Sequence, residues 1–292
     1  MSAPNLLLID AMALAYRSFH AIPLLTAKDG TPTNAVLGFV KGVRLLQERF
    51  QPTHQAVIFD GGLPAFRMER LPEYKAQRAP MPDDLFRQLP LLDEFLDAAR
   101  LARVRLDGQE ADDVIATLAC EAERAGGSVV ISTNDKDLFQ LVSERVVIAT
   151  PARDAPVMGP AEVAAKTGVP PARIPEWLAL TGDSVDNIPG VPGVGPKTAS
   201  RLLEQFPSID ALWAGIDTVS GDKLRESLRA AKSDVERNLA LVTLDCAAAG
   251  VPALDDLRPA VPDFAALRAF FLRLDMPSLA PPVPVPTQME LL

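Results

Sequence analysis

Nine carboxylates stand at positions where they could act together. Asp10 closes the apolar run Leu6-Leu7-Leu8-Ile9, and Asp60 closes Ala56-Val57-Ile58-Phe59. Asp135 and Asp137 follow Val129-Val130-Ile131-Ser132. Glu110, Asp112 and Asp113 open a helical stretch, and Asp183 and Asp186 come from Gly182-Asp183-Ser184-Val185-Asp186-Asn187. Any one of them alone reads as a turn former, a helix cap or favourable acid at a helix N-terminus. As a set they read differently. In an open α/β sheet, side chains at the carboxyl ends of the strands converge on one edge. So many carboxylates cannot all stay ionised side by side without cations. Neither histidine nor cysteine accompanies them, and hard oxygen ligands select Mg²⁺ or Mn²⁺ over zinc. Two such ions roughly 4 Å apart suit phosphodiester hydrolysis.

The elements that must carry these residues follow from the apolar pattern. Four short apolar runs, ending at Ile9, Phe59, Ser132 and Ile148, read as strands. Between them, residues 33–50, 83–100 and 110–125 read as helices, with Pro90 a kink or break and Gly126-Gly127 a stop. Strands apolar throughout with helices between them imply a mostly parallel central sheet flanked by helices on both faces. After Thr150 the pattern turns helical over 160–245, broken by Gly/Pro-rich turns, with a further helix at 262–274. The expected organisation is an α/β catalytic region (1–159), a helical DNA-binding region (160–279) and a Pro-rich tail (280–292).

A second chemistry-bearing stretch lies at 182–206. Gly190, Gly193 and Gly195 permit tight turns, and Pro196 suits the first position of a helix whose free N–H groups can face a phosphate. Lys197 and Arg201 are four apart and share a face of that helix. The Gly-Val-Gly-Pro-Lys-Thr-Ala spacing reads as a helix–hairpin–helix that holds duplex backbone regardless of sequence. Further basic positions are Arg17, Arg67, Lys75 and Arg78; Lys75 and Arg78 could neutralise a scissile phosphate, and Tyr74 could stack on a base.

The totals set bounds. The chain has 292 residues, 48% of them hydrophobic, and a net charge of −9. The negative balance speaks against nucleic-acid binding unless the acid is gathered at one site. No apolar run reaches the roughly 20 residues that span a bilayer, and the N-terminus lacks a basic leader, so a cytoplasmic, monomeric protein is expected. Cys120 and Cys246 have no metal or redox spacing and read as core residues; His20 and His54 are isolated.

These motifs, in this order, resemble those of the 5′-nuclease domain of bacterial DNA polymerase I and its stand-alone relatives, the flap endonuclease family. The matching runs are Leu7-Leu8-Ile9-Asp10, Ala15-Tyr16-Arg17-Ser18-Phe19-His20-Ala21, Gly30-Thr31-Pro32-Thr33-Asn34-Ala35, Phe59-Asp60, Tyr74-Lys75-Ala76-Gln77-Arg78, Glu110-Ala111-Asp112-Asp113, Asp135-Lys136-Asp137 and 182–199. The resemblance implies a PIN-like α/β fold with a helix–three-turn–helix. It implies that Asp10, Asp60, Glu110, Asp112, Asp135, Asp137, Asp183 and Asp186 hold two Mg²⁺ ions, for which Mn²⁺ can substitute; Asp113 matches the motif. Lys75 and Arg78 would orient the scissile phosphate near a helical gateway around 66–100, and residues 190–201 would grip duplex DNA and bind K⁺. The expected activity is hydrolysis of flaps, nicks and RNA-primed 5′ ends, in a free-standing nuclease or a fragment of a longer polymerase. Two departures stand out: Gly61-Gly62 follow Asp60 where relatives often carry a lysine, and Pro196 replaces a frequently charged residue.

The final residues, Gln288-Met289-Glu290-Leu291-Leu292, look like the short peptide that binds a bacterial sliding clamp, with Gln288, Leu291 and Leu292 as contacts. Two other readings are a ribonuclease on a similar scaffold, which usually lacks the 190–197 element, and a non-catalytic DNA-binding adaptor, which predicts erosion of the acidic set.

Overall fold

Five runs of apolar and β-branched residues pair side by side, all parallel, in the computed structural model, which describes residues 3–282. They are β1 (Asn5–Asp10), β2 (His54–Phe59), β3 (Ala102–Arg105), β4 (Ser128–Ser132) and β5 (Val146–Ala149), in the order β3-β2-β1-β4-β5. The register sets Asp10 beside Ile58 and Ile9 beside Ser132. The chain moves outward from β1 to β3 and then returns to β1's other side. The switch in strand order therefore falls between β1 and β4, where sheets of this kind open a crevice.

Period-two alternation divides the strands between two cores. Leu7, Ile9, Val57 and Phe59 face α1 (Ala11–Ala21), α2 (Asn34–Phe50) and, beyond α3 (Ala65–Arg70) and α4 (Asp83–Phe86), α5 (Leu89–Ala99). Leu6, Leu8, Ile58 and Ile131 face α6 (Ala111–Arg124) and the helical region. That region runs through α7 (Pro160–Thr167), α8 (Ile174–Thr181), the hairpin β6 (Gly182–Asp183) and β7 (Ile188–Pro189), α9 (Pro196–Gln205), α10 (Ile209–Ala214), α11 (Asp222–Ala230) and α12 (Lys232–Val242). A last helix, α13 (Phe264–Arg273), follows.

The structure corrects the sequence reading at several points. The 83–100 stretch is two helices, with Pro90 in the first turn of α5, where its missing N–H costs nothing. Leu92, Phe95 and Leu96 of α5 are core residues, so the gateway is confined to the stretch from α3 through α4. The buried Gln88 side-chain Oε1 accepts from Ala35 N (2.8 Å) and Val36 N (3.2 Å), supplying the N-terminal cap that α2 lacks. Helix α13 packs on the α/β region and not with helices α7 to α12: Phe270 and Phe271 lie against Phe95 of α5. Strand β3 was not anticipated, because only Val104 of its Ala-Arg-Val-Arg run is buried. The two cysteines are only half-buried, and they are joined to each other as a disulfide across 126 residues. Among the described residues, no helix is long and apolar enough to cross a membrane.

Candidate metal centre and nucleic-acid interface

The carboxyl edge of the sheet positions the first group of acids. Asp10 ends β1 and caps α1: one oxygen accepts from Ala13 N (2.9 Å) and the other from Thr133 Oγ1 (2.9 Å). Asp60, just past β2, accepts from Ala111 N (3.0 Å) at the start of α6. Its approach to α6 depends on Gly61, where a Cβ would sit 1.8 Å from the Leu106 carbonyl oxygen. Gly61 is thus required by backbone contact. Asp135 accepts from Asp137 N (2.9 Å), and Asp112 lies in the first turn of α6.

The second group joins Asp137, just past β4, to two acids of the β6–β7 hairpin segment. Ligand oxygens of Asp137, Asp183 and Asp186 all lie within 4.8 Å of one another. The β6–β7 hairpin presents the latter two. It is pulled tight by mutual backbone contact, since a Cβ on Gly190 would lie 2.2 Å from the Thr181 oxygen. An open cavity of about 1030 Å³ is lined by Asp10, Asp60, Asp112, Asp135, Asp183 and Asp186.

The electrostatics match an acidic site awaiting cations. Burial raises the Asp10 carboxyl to about 6, partly opposed by its Ala13 and Thr133 hydrogen bonds. Burial, then the charges of Asp135 and Asp10, pushes Asp112 well above the carboxylate range. Burial also raises Asp135, and it raises Asp137 strongly, reinforced there by Asp135 and Asp183. Asp137 Oδ1 is buried without a hydrogen-bond partner. An all-oxygen donor set, an orphaned carboxylate oxygen and three clustered acids fit hard divalent cations.

The stretch expected to form a gateway docks on this site through Lys75 and Arg78. Lys75, with a left-handed backbone (φ 57°), donates its N–H to the Asp186 carbonyl (3.0 Å). Its ammonium pairs with Glu110 and lies 3.6 Å from Asp186, while Arg78 reaches Asp186 at 2.7 Å. Burial alone would lower the Lys75 pKa, but Glu110 and Asp186 outweigh it and hold it above its usual value. Both cations line the cavity.

Four expected site residues lie elsewhere. Arg67, read as a DNA contact, is 2% exposed; it pairs with Glu110 and Asp113 and donates to the Leu241 carbonyl (3.0 Å). Tyr74, read as a base-stacking ring, is 4% exposed and its hydroxyl bonds Glu110 and Asp186. Asp113 accepts from Arg67 and from Asp245 N (2.9 Å), which leaves it no place at the cavity. Glu110 is likewise buried among Arg67, Tyr74 and Lys75. A spacing argument cannot tell an arginine that faces DNA from one that neutralises the acids behind the site.

Of the remaining basic residues, Arg17 is exposed at the cavity and donates to Asn134 (3.4 Å). Lys197 and Arg201 are exposed on α9, outside any ion pair among the described residues. Pro196 opens that helix as expected, and Gly193 takes a left-handed conformation (φ 82°). The sequence reading missed Lys136, Lys166, Tyr16 and His20, all of which line the cavity. Lys136 stands between two of the acids and was findable from that position; nothing near Lys166 in sequence marks it.

A strand-edge acidic site beside a helical region with a Gly/Pro-rich turn defines the class. The chain belongs to the 5′-3′ exonuclease family, whose members are nuclease hydrolases. The family's N-terminal resolvase-like domain matches residues 5–168 and its C-terminal SAM fold matches residues 169–265. A 5′-3′ exonuclease of Aquifex aeolicus is 38% identical over 275 residues, covering 94% of this chain and 93% of that protein. The thermostable DNA polymerase I of Thermus filiformis is 42% identical over 276 residues, 94% of this chain. The chain spans about a third of the length of that polymerase, 32%. A T5 5′-exonuclease solved with bound zinc as divalent metal shares the fold, with a TM-score of 0.70 at 23% identity, covering 95% of this chain and 100% of that one.

Proposed function

We propose that this chain hydrolyses phosphodiester bonds at 5′ ends and 5′ flaps of DNA, including RNA-primed ends, with two Mg²⁺ ions. The observation that carries the reading is the meeting, at one cavity, of strand-end acids, hairpin acids and the Lys75–Arg78 pair. Asp10, Asp60, Asp112 and Asp135 would hold one ion, and Asp137, Asp183 and Asp186 the other. When bound, such ions supply Lewis acidity, easing deprotonation of the attacking water and neutralising charge on the leaving oxygen. Lys75 and Arg78 bind the scissile phosphate and hold its charged oxygens in place. The start of α9, with Lys197 and Arg201, takes the phosphates of the adjoining duplex, and carbonyls of the 190–195 turn would accept K⁺ there.

The same reading has a cytoplasmic monomer recruited to a sliding clamp through Gln288, Leu291 and Leu292, which lie outside the described residues. Equal clamp affinity with and without residues 288–292 would remove that part.

The test is cleavage of a 5′-end-labelled flap substrate with Mg²⁺, with EDTA, and with Asp112→Asn. Cutting with Mg²⁺ that disappears with EDTA and drops at least about a thousand-fold in the mutant is the expected result. Duplex binding without cutting, in Mg²⁺ or Mn²⁺, would instead favour a non-catalytic adaptor.

A further inference from the structure

Four cations besides Lys166 line the cavity, and each already has a partner. Lys75 and Arg78 are paired with Glu110 and Asp186, Lys136 lies 3.3 Å from Asp183, and Arg17 donates to Asn134. Lys166 has neither a carboxylate nor a hydrogen-bond partner among the described residues. It is nonetheless fixed. Its ammonium lies 4.9 Å from the centroid of the Phe139 ring, an attraction to the ring face that leaves the hydrogen-bond donors free. Phe139 is 2% exposed and sits in the short helical turn Asp137–Leu141, two residues after a carboxylate of the second metal group. Lys166 itself is exposed in the last turn of α7. A charge left unpaired at a cavity lined by six carboxylates, and seated on the ring of a buried residue next to the second metal group, is placed for an anion that arrives with the substrate.

We propose that Lys166 holds a backbone phosphate of the DNA strand being cut, at the mouth of the catalytic cavity, as a contact separate from the Lys75–Arg78 pair and from α9. This rests on the nuclease reading given above. The ammonium is a compact point charge with three donors, which suits a phosphate oxygen approached from solvent. Such a contact binds ground state and transition state alike, so its loss weakens binding and leaves turnover at saturation nearly unchanged.

The experiment is equilibrium binding of a 5′-flap duplex in Ca²⁺, from 50 to 200 mM KCl, for the wild type, Lys166→Ala and Lys166→Arg. Each phosphate contact contributes about 0.9 to the slope of log affinity against log salt. Lys166→Ala is expected to lower that slope by about 0.9 and to weaken binding about three- to ten-fold near 0.1 M salt, with Lys166→Arg restoring both. The side chain is exposed, so neither variant should disturb folding, which thermal unfolding will check. Substrates with one phosphate replaced by methylphosphonate then identify the partner: the affected position weakens the wild type and leaves Lys166→Ala unchanged. A Lys166→Ala line parallel to that of the wild type overturns the assignment. A wild type that does not bind the flap duplex overturns the nuclease reading as well.

Discussion

The two groups of acids at the cavity are held by different means. Asp10, Asp60 and Asp135 are fixed by neutral donors: backbone N–H groups at helix starts and turns, and the Thr133 hydroxyl. Asp183 and Asp186 have cations besides neutral donors: Lys136 joins Val185 N on Asp183, and Lys75 and Arg78 join the Tyr74 hydroxyl on Asp186. Neutral donors set direction without cancelling charge, so burial leaves Asp10 and Asp135 above their usual pKa. Asp137, in the second group but without a cation of its own, is raised as well. The strand-end group therefore has no ion pair among the described residues, whereas the hairpin group is balanced by its cations. The gateway that contacts the hairpin also carries the residues that would meet the scissile phosphate.

The largest expected effect tests the shared cations. Lys75→Ala removes the proposed phosphate contact and one of the charges that balance Glu110. Single-turnover flap cleavage in Mg²⁺ should fall about a hundred- to a thousand-fold. A loss under ten-fold would mean that Lys75 serves only the gateway's docking. Next comes Arg67. Its removal leaves Glu110 and Asp113 as buried acids without their guanidinium, a defect on the order of 3 to 5 kcal/mol. Arg67→Met should lower the melting temperature by about 10 °C, while the slope of DNA affinity against salt stays that of the wild type. A reduced slope would return Arg67 to the DNA surface.

The smallest effect concerns pH and the strand-end group. Folding raises Asp10 from an ordinary 3.8 to about 6, so the folded state binds its proton more tightly than the unfolded one. The resulting stability is fully present below about pH 4 and is lost as pH rises toward 6, with Asp112 and Asp137 extending the loss upward. Metal-free protein should melt several degrees higher at pH 5.5 than at pH 8, and saturating Mg²⁺ should flatten the dependence. A metal-free melting temperature that climbs with pH would show that these acids are not uncompensated in the fold.

Much of this was legible before the structure. Strand-end acids, the helix–hairpin–helix and the central strands all come from local patterns that the fold must respect: apolar runs, carboxyl ends, glycine spacing. The failures share a cause. Arg67, Tyr74 and Asp113 carry motif spacing, but whether they face solvent or one another depends on α12 and on the 245 loop, far away in sequence. Strand β3 was hidden because edge position, not apolarity, makes its two arginines acceptable. Helix α13 was assigned by proximity in sequence to a region that it does not touch most. Lys166 and the Cys120–Cys246 pair are created only by the packing of distant segments.

That disulfide has a consequence for how the molecule comes apart. It joins α6, which carries Asp112 at its start, to the loop that follows α12, closing a covalent ring around β4, β5, the β6–β7 hairpin and helices α7 to α12. A single peptide-bond break anywhere between residues 121 and 245 therefore yields no separate pieces while the bond persists. The nicked chain migrates as one species until a thiol reductant opens the ring, and only then do two fragments appear.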